Sequence, residues 1–257
     1  MTYNFIYTQK VLNKTLKLRE ISFLEYRNLV KNILGDDIFA VEKALEDLIS
    51  TILYDKQDLT VQEKFLLLLK YRELIHGKQI EFTAGNTKVN YSIDNIFDFF
   101  NRELPYYEYE MDGNVYKFGL PSKMIPDRDY VIHIVDSLKM INYQPIIDKN
   151  LSYLPALPLL EINKKISEHF EPLKFKIQYI DYDVSLNDIS FLYFLKSIFI
   201  FDLQGLYDME YALRKNLNFS VTDLTQLSFP ECNLMLKLFN KDVAEREKAG
   251  SQVDSEN

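Results

Sequence analysis

Four consecutive leucines, Leu66-Leu67-Leu68-Leu69, lie in a helix-favouring run between Thr60 and Gly77 and constrain the fold more than any other stretch. Successive helix positions turn by about 100°, so four neighbouring leucines point all round the axis. A helix that carries them must be enclosed on most sides. Thr60 and Glu63 stand in the S/T-x-x-E relation of a capping box, which satisfies two orphan backbone donors at the helix start. At the other end Gly77 supplies a left-handed C-cap, and Lys78-Gln79-Ile80-Glu81-Phe82 opens a strand.

The same signals organise the rest of the chain. Leu16 and Leu18 alternate with charges in a half-buried strand, one of two expected in the first twenty residues. Ser22 and Glu25 start a helix that Gly35 stops, and Asp36 or Asp37 caps the next, with Val41, Ala44, Leu45, Leu48, Ile49 and Ile52 on one face. Two hairpins follow: Gln79–Thr83 with Thr87–Ser92 around a three-residue turn Ala84-Gly85-Asn86, and Tyr106–Glu110 with Val115–Leu120 around Asp112-Gly113. Helices are expected over 93–103, 130–141, 159–170, 187–201, 203–216 and from the Ser228/Glu231 capping box to about Lys248, with a strand at 174–179. The fold class is α+β, predominantly helical with small antiparallel hairpins. Residues 1–150 form an N-terminal helical lobe with two hairpins and 151–250 a C-terminal helical lobe, or the two make one continuous domain; 251–257 is a flexible tail. The Pro-rich Leu151–Pro158 is the boundary candidate.

Composition narrows the function. A net charge of -8, with no basic run longer than Lys164-Lys165, argues against nucleic acid as a partner. The longest apolar stretch, Ile189–Phe201, is shorter than the ~20 residues a membrane-crossing helix needs. The N-terminus lacks the pattern of a signal peptide, so the expected location is cytoplasmic. The single Cys232 excludes an internal disulfide and reads as a small buried hydrophobe. Tyr 18 and Phe 18 with no Trp suit dense cores and assembly surfaces.

No catalytic, cofactor or metal residues emerge. Asp181-Tyr182-Asp183-Val184-Ser185 resembles the start of a calcium loop, but Leu186 and Leu192 stand where its Gly and its bidentate Glu belong; a solvated, helix-capping loop is the better reading. His76, His133 and His169 are far apart in sequence; at His76 the helix C-terminal dipole favours the protonated form. Glycine-rich phosphate loops and the G-x-S-x-G elbow are missing from the sequence. The aromatic hairpin is more suggestive. Tyr106, Tyr107 and Tyr109, with Tyr116 across the turn, put aromatics on both of its faces, one packing inward and the other free to dock a partner.

The order of elements also resembles a known family. A strand and capping-box start (Leu16 to Tyr26), a Leu-rich helix, Tyr71-Arg72-Glu73-Leu74-Ile75-His76-Gly77-Lys78-Gln79-Ile80 and then a hairpin resemble the baseplate hub assembly proteins of T-even-like contractile-tailed phages. Arg72, Ile75 and Gly77 match the helix end expected there, and Phe194–Leu203 followed by Tyr207 and Tyr211 looks like the second helical block. The resemblance runs from about Val11 to Glu247, and Asn101–Pro172 matches only in general character. It implies a late, non-enzymatic morphogenesis protein: an assembly chaperone or minor hub component with no cofactor, binding hub or tail proteins in the infected host's cytoplasm, with the virion baseplate as a further location. The rivals are a stoichiometric structural baseplate subunit and an enzyme whose site carries no recognised signature.

Overall fold

Two strands, β1 (Ile6–Val11) and β2 (Lys14–Arg19), open the chain as an antiparallel hairpin, with Leu16 and Leu18 buried as their alternation requires. The computed structural model describes residues 6–84, 87–125, 129–146, 159–178, 182–200 and 203–253. Gly85, Asn86, Pro126, the boundary stretch 151–158, Asp181, Phe201, Asp202 and tail residues 254–257 lie outside them.

Helix α1 (Phe23–Ile33) starts at the Ser22/Glu25 capping box and α2 (Ile38–Ile52) at Asp37, whose side chain accepts from Phe39 N. Helix α3 (Val61–His76) is the Leu-rich segment. Its capping box forms, and Phe65 through Leu69 are all buried. Gly77 follows with φ 82 and ψ -179, which is not the left-handed helical C-cap expected but an extended conformation essentially reserved for glycine. That geometry swings the chain straight into β3 (Gln79–Ala84), while buried Arg72 donates from Nη1 to the Gly77 carbonyl at 2.7 Å. Strand β4 (Thr87–Ser92) pairs with β3 so that Ala84 opposes Thr87; two residues connect them, not three. Helix α4 (Ile93–Phe100) buries Ile96, Phe97 and Phe100.

The second hairpin, β5 (Tyr107–Met111) and β6 (Asn114–Phe118), turns at Asp112 and Gly113, both at positive φ as a type I′ turn demands. The helix expected over 130–141 ends early: α5 spans Tyr130–Ser137, and β7 (Leu138–Ile141) and β8 (Gln144–Pro145) extend the hairpin into a four-stranded sheet of order β5-β6-β7-β8. Pairing with β6 overrides the local preference, because Leu138 opposes Phe118 and Ile141 opposes Tyr116 on the core side.

Helix α6 (Leu159–Phe170) leads to β9 (Lys174–Ile177), which pairs with β10 (Tyr182–Ser185). The segment expected as a helix-capping loop is thus largely a strand, because Val184 and Ser185 are buried against the core. Helix α7 (Ser190–Ile200) begins later than expected, where Asp188 accepts from Ser190 N. It packs against α1, α2 and α3, and Phe65 meets Phe191 edge-on at 6.0 Å, so the two halves of the chain share one buried cluster. Helix α8 (Leu203–Asn216), the short α9 (Val221–Leu224) and α10 (Phe229–Val253) complete the chain; α10 runs through Val253, past the expected end near Lys248. Its Ser228/Glu231 capping box forms, and Ser228 bridges back to Ser22 while Leu227 O accepts from Phe23 N at 2.7 Å. Among the described residues no helix is long and apolar enough to cross a membrane.

Gly77 and Gly205 make a matched test, since an added Cβ meets nothing within 4 Å at either. Gly77→Ala is expected to lower unfolding free energy by about 1–3 kcal/mol because only the backbone objects. Gly205→Ala, inside exposed α8, should raise it by about 0.5–1 kcal/mol. Urea denaturation of the two variants checks both signs.

Candidate docking site

The four-stranded sheet has an inner and an outer face, and strand parity assigns each side chain to one of them. Tyr107 opposes Phe118 and Tyr109 opposes Tyr116, so these aromatics share the inner face. Tyr116 is buried, Tyr107 and Tyr109 are half-buried, and all pack towards the core. Aromatics on both faces of the hairpin are therefore not what forms: counting outward from the Asp112-Gly113 turn places Tyr107, Tyr109 and Tyr116 on the same side. The outer face carries Glu108 opposite Lys117, joined by a 2.6 Å ion pair, and Glu110 opposite Val115.

Of the four candidate contact residues Tyr106 alone is well exposed, at 42%. It stands two residues before Glu108 and so belongs to the outer side. Gly119 is its neighbour. A Cβ at Gly119 would come within 3.1 Å of both Tyr106 Cε1 and Lys139 Cγ, so the missing side chain lets the tyrosine ring and the lysine stem close together. They form one wall of a cleft of about 390 Å³, whose other walls include Leu12, Glu63, Leu104 and Phe170. Glu63 serves both sides there: its Oε2 accepts from Thr60 N at 2.7 Å and from Lys14 Nζ at 2.9 Å.

At the opposite end of the outer face lies Tyr143, which sequence reasoning did not single out. It shares the β7–β8 turn with Asn142; both have positive φ (49 and 65). Asn142 suits this conformation, and its side chain holds the turn to β6 by accepting from Val115 N at 2.9 Å and donating to Asn114 Oδ1 at 2.7 Å. A tyrosine in the second position does not suit it, since glycine is the residue that relieves the crowding. Yet Tyr143 is 62% exposed, and its ring lies 4.2 Å from Lys117 Nζ. No local pattern marks it in the sequence, since Leu138-Lys139-Met140-Ile141 reads as a continuation of the preceding helix.

The loop that joins this sheet to the helices is pinned from three elements. Asp136 of α5 accepts from Ser122 N at 2.6 Å, from the Ser122 hydroxyl and from Lys123 N at 3.0 Å. Lys64 of α3 donates to Ser122 O at 2.8 Å, and Glu42 of α2 accepts from Ile125 N at 2.8 Å. The segment that follows β6 is thereby tied to α2, α3 and α5.

The histidines fall on separate elements. His169 lies 2.9 Å from Pro105 O and steadies the segment before Tyr106. His76 shares a 2.6 Å hydrogen bond with the Tyr26 hydroxyl and sits 4.8 Å from the Phe229 ring. The helix dipole does not win there: burial, then the nearby Arg72 charge, push its pKa down to about 3, so it is neutral. Burial, then Glu231, push the Cys232 thiol up to about 12, which leaves it protonated. Among the described residues no group of three His, Cys, Asp or Glu is placed to hold a metal ion. Neither a family model, a curated protein nor a solved structure matches the chain.

Two outcomes follow from this geometry. Replacing Asp136 by Ala removes the acceptor of the Ser122 N–H, the Ser122 hydroxyl and the Lys123 N–H and should cost about 1–3 kcal/mol, with faster amide exchange at Ser122 and Lys123. For His76, the unfolded chain binds a proton near pH 6.5 that the folded protein does not accept until about pH 3. Its stabilising effect is present above pH 6.5 and is lost as pH falls, by about 2 kcal/mol between pH 7 and 5. Unfolding measured at both pH values should show this loss, and His76→Gln should remove it.

Proposed function

We propose that this protein is a non-enzymatic assembly factor of a phage tail baseplate hub, acting as a chaperone or minor hub component that binds hub or tail proteins through the outer face of the four-stranded sheet. The observation that carries the docking reading is Tyr143, a large exposed aromatic kept in a left-handed backbone conformation that costs on the order of 1 kcal/mol, with Lys117 over its ring. Tyrosine is a preferred anchor of protein interfaces, because it covers area with few rotamers and ends in a hydrogen-bonding group. Tyr106 supplies a second such group beside a cleft. The assignment to hub assembly rests on the sequence resemblance, and the host cytoplasm is the place where such a protein would work.

The test separates folding from binding. Tyr143→Gly should unfold at the same or a higher temperature, since glycine suits the turn. It should nevertheless recover far less hub or tail protein in a pull-down from infected cells, as should Tyr106→Ala, by about thirtyfold in affinity for a true anchor. Unchanged recovery by both variants sinks the docking reading. Absence of any hub or tail protein from the wild-type pull-down sinks the assignment, and quantitative mass spectrometry of purified particles distinguishes an assembly factor from a stoichiometric subunit.

A further inference from the structure

Helix α8 carries a second surface, independent of the sheet face, and its charge runs against that of the molecule. Leu206 and Leu213 turn inward, which leaves Tyr207, Tyr211, Arg214 and Lys215 outside along an open groove of about 510 Å³. Glu210 at its floor is already engaged twice: Arg27 of α1 holds one carboxylate oxygen, and Arg214 Nη1 lies 3.7 Å from the other. The Arg27 guanidinium also sits 5.5 Å from the Tyr207 ring centre, and Lys215 Nζ 5.2 Å from that of Tyr211, which is 64% exposed. Arg214 and Lys215 thus line the groove beside one carboxylate that Arg27 already engages, in a chain whose net charge is -8.

We infer that this groove is a docking site for a short acidic, apolar segment of another protein, with partner carboxylates meeting Arg214 and Lys215 and an apolar side chain lying between Tyr207 and Tyr211. Charge complementarity selects this occupant. The local positive excess attracts a carboxylate-bearing segment, while the acidic remainder of the surface steers away from a polyanion that must track a long basic path. Stacking of Arg27 on Tyr207 and of Lys215 on Tyr211 keeps both rings and Lys215 partly pre-arranged, which lowers the ordering cost of binding.

The test measures fluorescence anisotropy of the full chain with three labelled 14-residue helical peptides of one apolar pattern carrying zero, two or four Glu, and with single-stranded (dT)20. Affinity should rise with Glu count, fall with added salt, and drop roughly tenfold in the Arg214→Gln/Lys215→Gln variant, whose thermal midpoint should stay close to wild type. The Tyr106→Ala and Tyr143→Gly variants should bind the peptides normally, so failure here and failure of the sheet-face reading are told apart. Equal affinity for all three peptides, no binding to any, or tighter binding of (dT)20 overturns the inference. So does a concentration-dependent dimer in sedimentation that the same double variant abolishes, since the groove would then take a second copy of this chain.

Discussion

Helix α3 is enclosed over most of its circumference, with Leu74 near its end exposed, and much of the molecule is arranged to give it cover. Phe65 alone meets Phe100 of α4 at 5.2 Å and Phe191 and Phe194 of α7 at 6.0 and 6.2 Å, so residues more than a hundred positions away complete the shell. Each buried leucine of the 66–69 run contributes about 1.5–3 kcal/mol only while that shell is closed. The polar groups at the ends of α3 are committed as well. Gln62 donates from Nε2 to Phe100 O and Arg102 O, Glu63 ties the first hairpin through Lys14, and Arg72 grips the Gly77 carbonyl. Removing any one layer would expose both apolar area and orphaned backbone groups.

This central helix also bears differently on the two proposed docking surfaces. The sheet is clamped to the core through Ser122 and Asp136, and Lys64 of α3 is one of the clamps, so Tyr106 and Tyr143 stand at fixed positions on a stiff plate. The α8 groove is built instead on one helix that packs against α1 and α10, with Arg27 of α1 reaching Glu210. An aromatic plate would select a partner by shape, and a charged groove by sign.

Much of the helical framework was legible in the sequence because its signals are local. Capping boxes at Ser22, Thr60 and Ser228, the Asp37 cap and the Asp112-Gly113 turn all form. What was not legible depends on distant partners. Leu138–Ile141 continues an apolar helical pattern, and only pairing with β6 makes it a strand. Asp183 looks like a solvated loop residue until β9 pairs beside it. His76 reads as a helix-end cation, yet Phe229, more than 150 residues on, encloses it and leaves it neutral. Of the site, Tyr106 was readable as an exposed aromatic; Tyr143 was not, because its significance lies in a backbone angle.

The clasp between Ser22 and Ser228 governs how the chain is completed on the ribosome. Phe229 rests against Phe23, Tyr26 and His76, so a nascent chain leaves those rings uncovered until it has been made through Phe229. A polypeptide truncated before Phe229 would therefore display a greasy, half-roofed α1, a form that quality-control proteases recognise. Vectorial synthesis therefore roofs α1 late, when the start of α10 arrives to cover it.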